Sequence, residues 1–138
     1  MKKSFFLICL LTVLSAFLWG CSRRDAPQNA GPVVTRIAVT CQNGPVQTQR
    51  SYTSSVKMRA ILNYLRWIDP YGVPQEDPEQ VDGTLFRIVM IFSDGSEKVY
   101  LQKADRYMQI DGAPWKTVDP QKALTLSQIL GQMKSDEM

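Results

Sequence analysis

The 138-residue chain contains no histidine. That removes the residue most often used as general base and metal ligand near neutral pH, and with it any Ser-His-Asp or Cys-His nucleophilic arrangement. Cysteine is almost as scarce, at Cys9, Cys21 and Cys41 only. The first two fall in or at the end of an apolar leader. Only Cys41 is left for a folded domain, so neither an internal disulfide framework nor a zinc-binding cysteine cluster is available. No Gly-rich phosphate loop occurs. The longest apolar stretch, Phe5 to Trp19, falls short of the roughly 20 residues that span a bilayer core. Strong charge is missing too: the net +3 drops to +1 once Lys2 and Lys3 leave with the leader, so the pI of about 8.8 does not indicate a nucleic-acid partner. No cofactor, metal site or catalytic residue is expected.

What is present starts with an address. Lys2 and Lys3, the apolar run, and a small residue ahead of Cys21 follow the layout of an export signal. Leu18-Trp19-Gly20-Cys21 resembles the lipobox of a bacterial lipoprotein precursor, with Leu18 at the apolar position, Gly20 before the cut and Cys21 as lipid acceptor; Trp19 departs from the small residue usual there. The resemblance implies that residues 1–20 are a signal peptide and that Cys21, acylated, becomes the first mature residue. Two long acyl chains would then hold a small domain on a membrane, since each buried methylene contributes about 0.8 kcal/mol. Residues 21–32 read as the lipidated cysteine and a polar, flexible tether, with Arg23 and Arg24 beside the bilayer.

Residues 33–138 have the length and patterning of a single α+β domain. Thr35 to Cys41 alternates, with Ile37, Val39 and Cys41 on one face. Cys41 is therefore read as a buried small hydrophobe, the alternative being an exposed thiol that pairs with another chain. Asn43-Gly44 signals a hairpin into a polar edge strand, Val46 to Tyr52. A helix capped by Ser54 or Ser55 runs to about Ile68, with Met58, Ile61, Leu62, Leu65 and Ile68 in one stripe. Val56, Tyr64 and Trp67 fall outside that stripe. Trp67 and Val56 either cover the next loop or form a partner-facing patch. Asp69 to Gly83 reads as a long acidic loop without regular structure, too irregular in its carboxylate spacing for an EF-hand and too exposed for a glycosidase pair.

Thr84 to Phe92 is apolar enough for a central strand. Taking Asp94-Gly95 as a two-residue turn sets Met90 opposite Val99, Val89 opposite Tyr100 and Ile88 opposite Leu101. A further hairpin joins Tyr107–Ile110 to Trp115–Val118 with Met108 opposite Trp115, and Pro114 makes one arm an edge. Asp119-Pro120 opens a last helix with Ala123, Leu126, Ile129, Leu130 and Met133 on its apolar side; Lys134 to Met138 is expected to fray. The order β-β-α-β-β-β-β-α implies a two-layer domain, an antiparallel sheet with two helices on one face. The stretch Phe92-Ser93-Asp94-Gly95-Ser96 and the ending after Trp115-Lys116 resemble small uncharacterised lipoproteins of Gram-positive bacteria, a likeness that brings no functional residues.

The expectation is a lipid-anchored, extracytoplasmic protein of the cell membrane or outer membrane, its domain a non-catalytic binding or adaptor module for an envelope protein. The candidate contact residues are Trp67, Tyr71, Tyr100 and Tyr107. The alternative is a small envelope hydrolase or an inhibitor of one.

Overall fold

The computed structural model describes residues 31–136, so the leader, the lipobox with Cys21 and nearly all of the tether lie outside it. Six strands and two α-helices follow in chain order: β1 (Val34–Asn43), β2 (Val46–Tyr52), α1 (Ser55–Trp67), β3 (Leu85–Phe92), β4 (Glu97–Lys103), β5 (Tyr107–Ile110), β6 (Lys116–Thr117) and α2 (Pro120–Gln132). The strands form one antiparallel sheet in the order β2-β1-β3-β4-β5-β6. The polar β2 is an edge and the apolar β3 is central, as their compositions demand. Because β1 lies between β2 and β3, these two run parallel, and α1 is the crossover that carries the chain over the sheet.

Both helices cover the same face. Ile37 and Val39 of β1, Phe86, Ile88 and Met90 of β3, and Met108 of β5 meet Met58, Ile61 and Leu65 of α1 and Ala123, Leu126 and Leu130 of α2 in one apolar cluster. The domain is therefore the two-layer α+β fold that its pattern of elements implies. Burying each large aliphatic side chain contributes about 1.5–3 kcal/mol, so this layer supplies most of the stabilisation.

The turns correct several expectations. In the first hairpin Asn43 pairs with Val46, so the turn residues are Gly44 and Pro45 rather than Asn43-Gly44. Gly44 adopts the positive φ, +57°, that the first position of such a turn requires. Between β3 and β4 the loop has three residues. Phe92 N–H donates to Ser96 O at 2.9 Å and Gly95 N–H to Phe92 O at 3.0 Å. Gly95 follows in the left-handed region at φ +85°. The extra residue moves the register by one. Val89 faces Val99, Ile88 faces Tyr100 and Arg87 faces Leu101, in place of the pairs expected from a two-residue turn. The side chains that join Ile88 in the core are consequently Tyr100 and Gln102, not Val99 and Leu101. The last hairpin slips likewise: Met108 faces Lys116, and Trp115 precedes β6.

Other departures lie at the chain's joints. Tyr64 sits off the predicted stripe yet is buried, its hydroxyl donating to Gln102 Oε1. Ser54 is the N-cap of α1, but its side chain makes no capping bond. The predicted frayed tail performs that task instead. Asp136 Oδ2 accepts from the N–H groups of Thr53 and Ser54, both at 2.8 Å, and its other oxygen pairs with Lys57. A carboxylate there also suits the positive end of the helix dipole. Ser135 Oγ accepts from Ser51 N–H at 2.9 Å and lies along the β2 edge, so residues 135 and 136 are docked rather than frayed. At the far end of α2, Arg50 of β2 donates to the final carbonyls of Leu130 and Met133. Asp119 caps α2 as expected, accepting from Gln121 N–H at 2.8 Å.

The 69–83 loop is more structured than its composition suggests. Tyr71 exchanges both backbone hydrogen bonds with Thr117, at 2.9 and 2.8 Å, and Pro78–Gln80 forms a 3-10 turn capped by Asp77.

Candidate functional site

The four aromatic residues singled out from the sequence do not share a surface. Tyr100 is 8% exposed on the helix-covered face of β4, with the Lys98 ammonium 5.4 Å from its ring centre. Tyr107 is 7% exposed on the opposite face of the sheet. Both are removed from the set of exposed contact residues. The cause is the register shift for Tyr100 and, for Tyr107, the docked loop: its ring is covered while its hydroxyl donates to Glu76 Oε1. That bond to the carboxylate holds the Tyr107 phenol above its ordinary range. Arg106 stands 3.8 Å from the same Glu76 oxygen.

Trp67 and Tyr71 remain, 49% and 57% exposed. Trp67 closes α1, and its ring lies 5.0 Å from Lys122 Nζ of α2's first turn, a cation–π contact that ties the two helices. Tyr71 is held by its backbone pairing with Thr117, two residues before the α2 cap, so the corner after α1 is fixed against the start of α2. Val73, also exposed, extends this corner. Sequence reasoning found its aromatics but not the backbone bridge, because a two-residue pairing across 46 positions leaves no periodic trace.

Two concavities flank the helices. One is a cleft of about 170 Å³ between the inner face of the sheet and the last turn of α2, lined by Val39, Cys41, Arg50, Phe86, Leu130 and Gly131. Cys41 has the predicted phase but is only half-buried, in the cleft where α2 presents Gly131. The other is a groove of about 390 Å³ beside α1, where Val33 and Val34 meet Met58, Arg59, Leu62 and Arg66.

Among the described residues no group of three or more Cys, Asp or Glu side chains is placed to hold a metal ion. Among the same residues no helix is long and apolar enough to cross a membrane. No protein family matches the chain, and no significant match was found among curated proteins or solved structures. What the geometry offers is surface: a rigid aromatic corner at Trp67 and Tyr71, and a groove beside α1 at the point where the N-terminal segment enters the fold.

Proposed function

We propose that the protein is a membrane-anchored, extracytoplasmic lipoprotein whose domain is a non-catalytic binding or adaptor module of the cell envelope. The observation that carries the anchor is Leu18-Trp19-Gly20-Cys21 at the end of a basic-then-apolar leader. Thioether-linked acyl chains on Cys21 would tether the domain through a polar segment of about ten residues, whose reach of roughly 18 Å leaves the domain free to meet partners near the bilayer. The fixed corner of Trp67 and Tyr71 supports the binding role, because large rigid aromatics supply contact area at low entropic cost.

Replacing Cys21 by Ala is the test of the anchor. Wild type is expected to partition into the detergent phase and to take up labelled palmitate, and the variant to do neither. A variant that is processed and partitions like wild type overturns the anchor. For the binding role, photo-crosslinking from position 73, exposed beside Tyr71, is expected in intact cells to capture an envelope protein, and capture that is undiminished by Tyr71→Ala overturns the role.

A further inference from the structure

We infer that the outward face of α1 is a docking surface for an anionic lipid leaflet, and that it fixes which way the domain faces on its membrane. The inference rests on the anchor proposed above, and it takes Trp67 from the protein-binding corner for lipid, which leaves Tyr71 and Val73 there.

Charge is the first argument. Helix α1 carries Lys57, Arg59 and Arg66 and no acidic residue. Lys57 is consumed by Asp136, but neither Arg59 nor Arg66 is ion-paired among the described residues. At 100° per residue Arg66, Arg59, Asn63, Val56 and Trp67 fall on the side of α1 opposite its buried stripe of Met58, Ile61 and Leu65. Val56 is 74% exposed, so this face joins two arginines to an exposed aliphatic and a half-exposed indole. That mixture suits the headgroup layer, where cations meet lipid phosphates while a Trp ring and a short aliphatic enter the boundary.

The second argument is where the negative charge goes. Asp69, Glu76, Asp77, Glu79 and Asp82 stand in a loop that contains no Lys or Arg. Glu76 receives the hydroxyl of Tyr107. Tyr107 alternates with the core residue Met108, so it projects from the face of the sheet that the helices leave uncovered. Glu76, the carboxylate placed by its hydrogen bond, thus lies away from α1, whose own outward face holds no carboxylate. The third argument is the chain's entry. Val33 and Val34, the first residues of the domain, line the groove shared with Arg59 and Arg66, so a tether that reaches the membrane leaves from the rim of the cationic face.

The experiment uses the full protein purified from membranes and reconstituted into vesicles of brominated phosphatidylcholine, with or without one part in four of phosphatidylglycerol. Flotation reads attachment, and quenching of tryptophan emission reads docking. Quenching is expected on the anionic vesicles, reversible by high salt and lost in Trp67→Phe. Since each arginine near an anionic leaflet contributes about fivefold, Arg59→Gln with Arg66→Gln is expected to lower the docked-to-undocked ratio about 30-fold. Arg87→Gln, on the uncovered face of the sheet, is expected to change nothing. Protein that floats with both vesicle types, but whose quenching ignores phosphatidylglycerol or the two arginines, overturns the inference and leaves the anchor standing. Protein that floats only on anionic vesicles, through Arg59 and Arg66, overturns the anchor and supports the docking face.

Discussion

Gln102 is the residue whose loss the fold should feel most sharply for its size. It has no exposed surface, and it lies on the helix-facing side of β4. Its Oε1 accepts from the Tyr64 hydroxyl of α1, and its Nε2 donates to Ala123 O of α2 at 3.2 Å and to Asp105 Oδ1 at 3.4 Å. One amide thus links the sheet to both helices. Burial, helped by the Asp105 carboxylate, pushes the Tyr64 phenol far above its ordinary range, so it remains a donor at any working pH. Tyr64→Phe keeps the ring and strands Gln102 Oε1 without its donor. An unpaired buried acceptor costs about 1–3 kcal/mol. With a urea slope of about 1–1.5 kcal/mol/M, the unfolding midpoint should fall by about 1–2 M at unchanged slope. Gln102→Leu alone should cost a similar amount by stranding the Tyr64 hydroxyl. The double variant should cost less than the two singles together, because matched apolar replacement leaves neither group unpaired. Tyr52→Phe is the internal control. The Tyr52 hydroxyl is buried with no partner among the described residues, so its removal should leave the midpoint level or slightly raised. Urea unfolding followed by circular dichroism decides the matter. Equal midpoints for Tyr64→Phe and Tyr52→Phe, or strictly additive single and double variants, would refute the linking role.

Three further outcomes follow from the joints of the fold. Lys57, with the N–H groups of Ser54 and Thr53, pulls the Asp136 carboxyl from 3.8 down to about 2. A depressed carboxyl stabilises fully above its unfolded value and loses that contribution as pH falls through the folded value. The difference in melting temperature between wild type and Asp136→Asn should therefore hold steady above about pH 4 and close towards pH 2. A Cβ at Gly83 would lie 2.6 Å from Ala104 Cβ and 2.8 Å from Ala104 Cα, at a φ of +149°. Gly83→Ala should thus lose about 1–3 kcal/mol in chemical denaturation. A Cβ at Gly131 meets nothing within 4 Å. Gly131→Ala should therefore gain about 0.5–1 kcal/mol from helix propensity and slow labelling of Cys41 by a thiol reagent, because its methyl group narrows the cleft they share.

Element types and most boundaries were legible because each is written as a period: alternation in β1, a 3.6-residue stripe in α1 and α2, and Asp119-Pro120 at a helix start. The register of β3 and β4 was not. Apolar Val99 and Leu101 argue for one face, whereas the turn, by taking in Ser93 as a third loop residue, selects the face of Tyr100 and Gln102. Hydrophobicity favoured the wrong face because Gln102 is buried for its hydrogen bonds. The docked tail was equally hidden: Ser135 and Asp136 look like a solvated end until their partners, some 80 residues earlier, come alongside. Of the candidate contact residues, Trp67 and Tyr71 kept their exposure, while Tyr100 and Tyr107 lost it to pairings that no local pattern records.

That docked tail also orders events in time. A polypeptide leaves the ribosome with its N-terminal end first. The first hairpin and the opening turn of α1 therefore emerge early, yet the groups that satisfy Thr53, Ser54 and the rim at Ser51 follow some 80 residues later. Arg50 must likewise wait for the carbonyls of Leu130 and Met133. Until residues 130–136 have been made, the first strand pair lacks these partners along one side. The joint at Ser51 to Ser54 therefore closes only after α2 has been made.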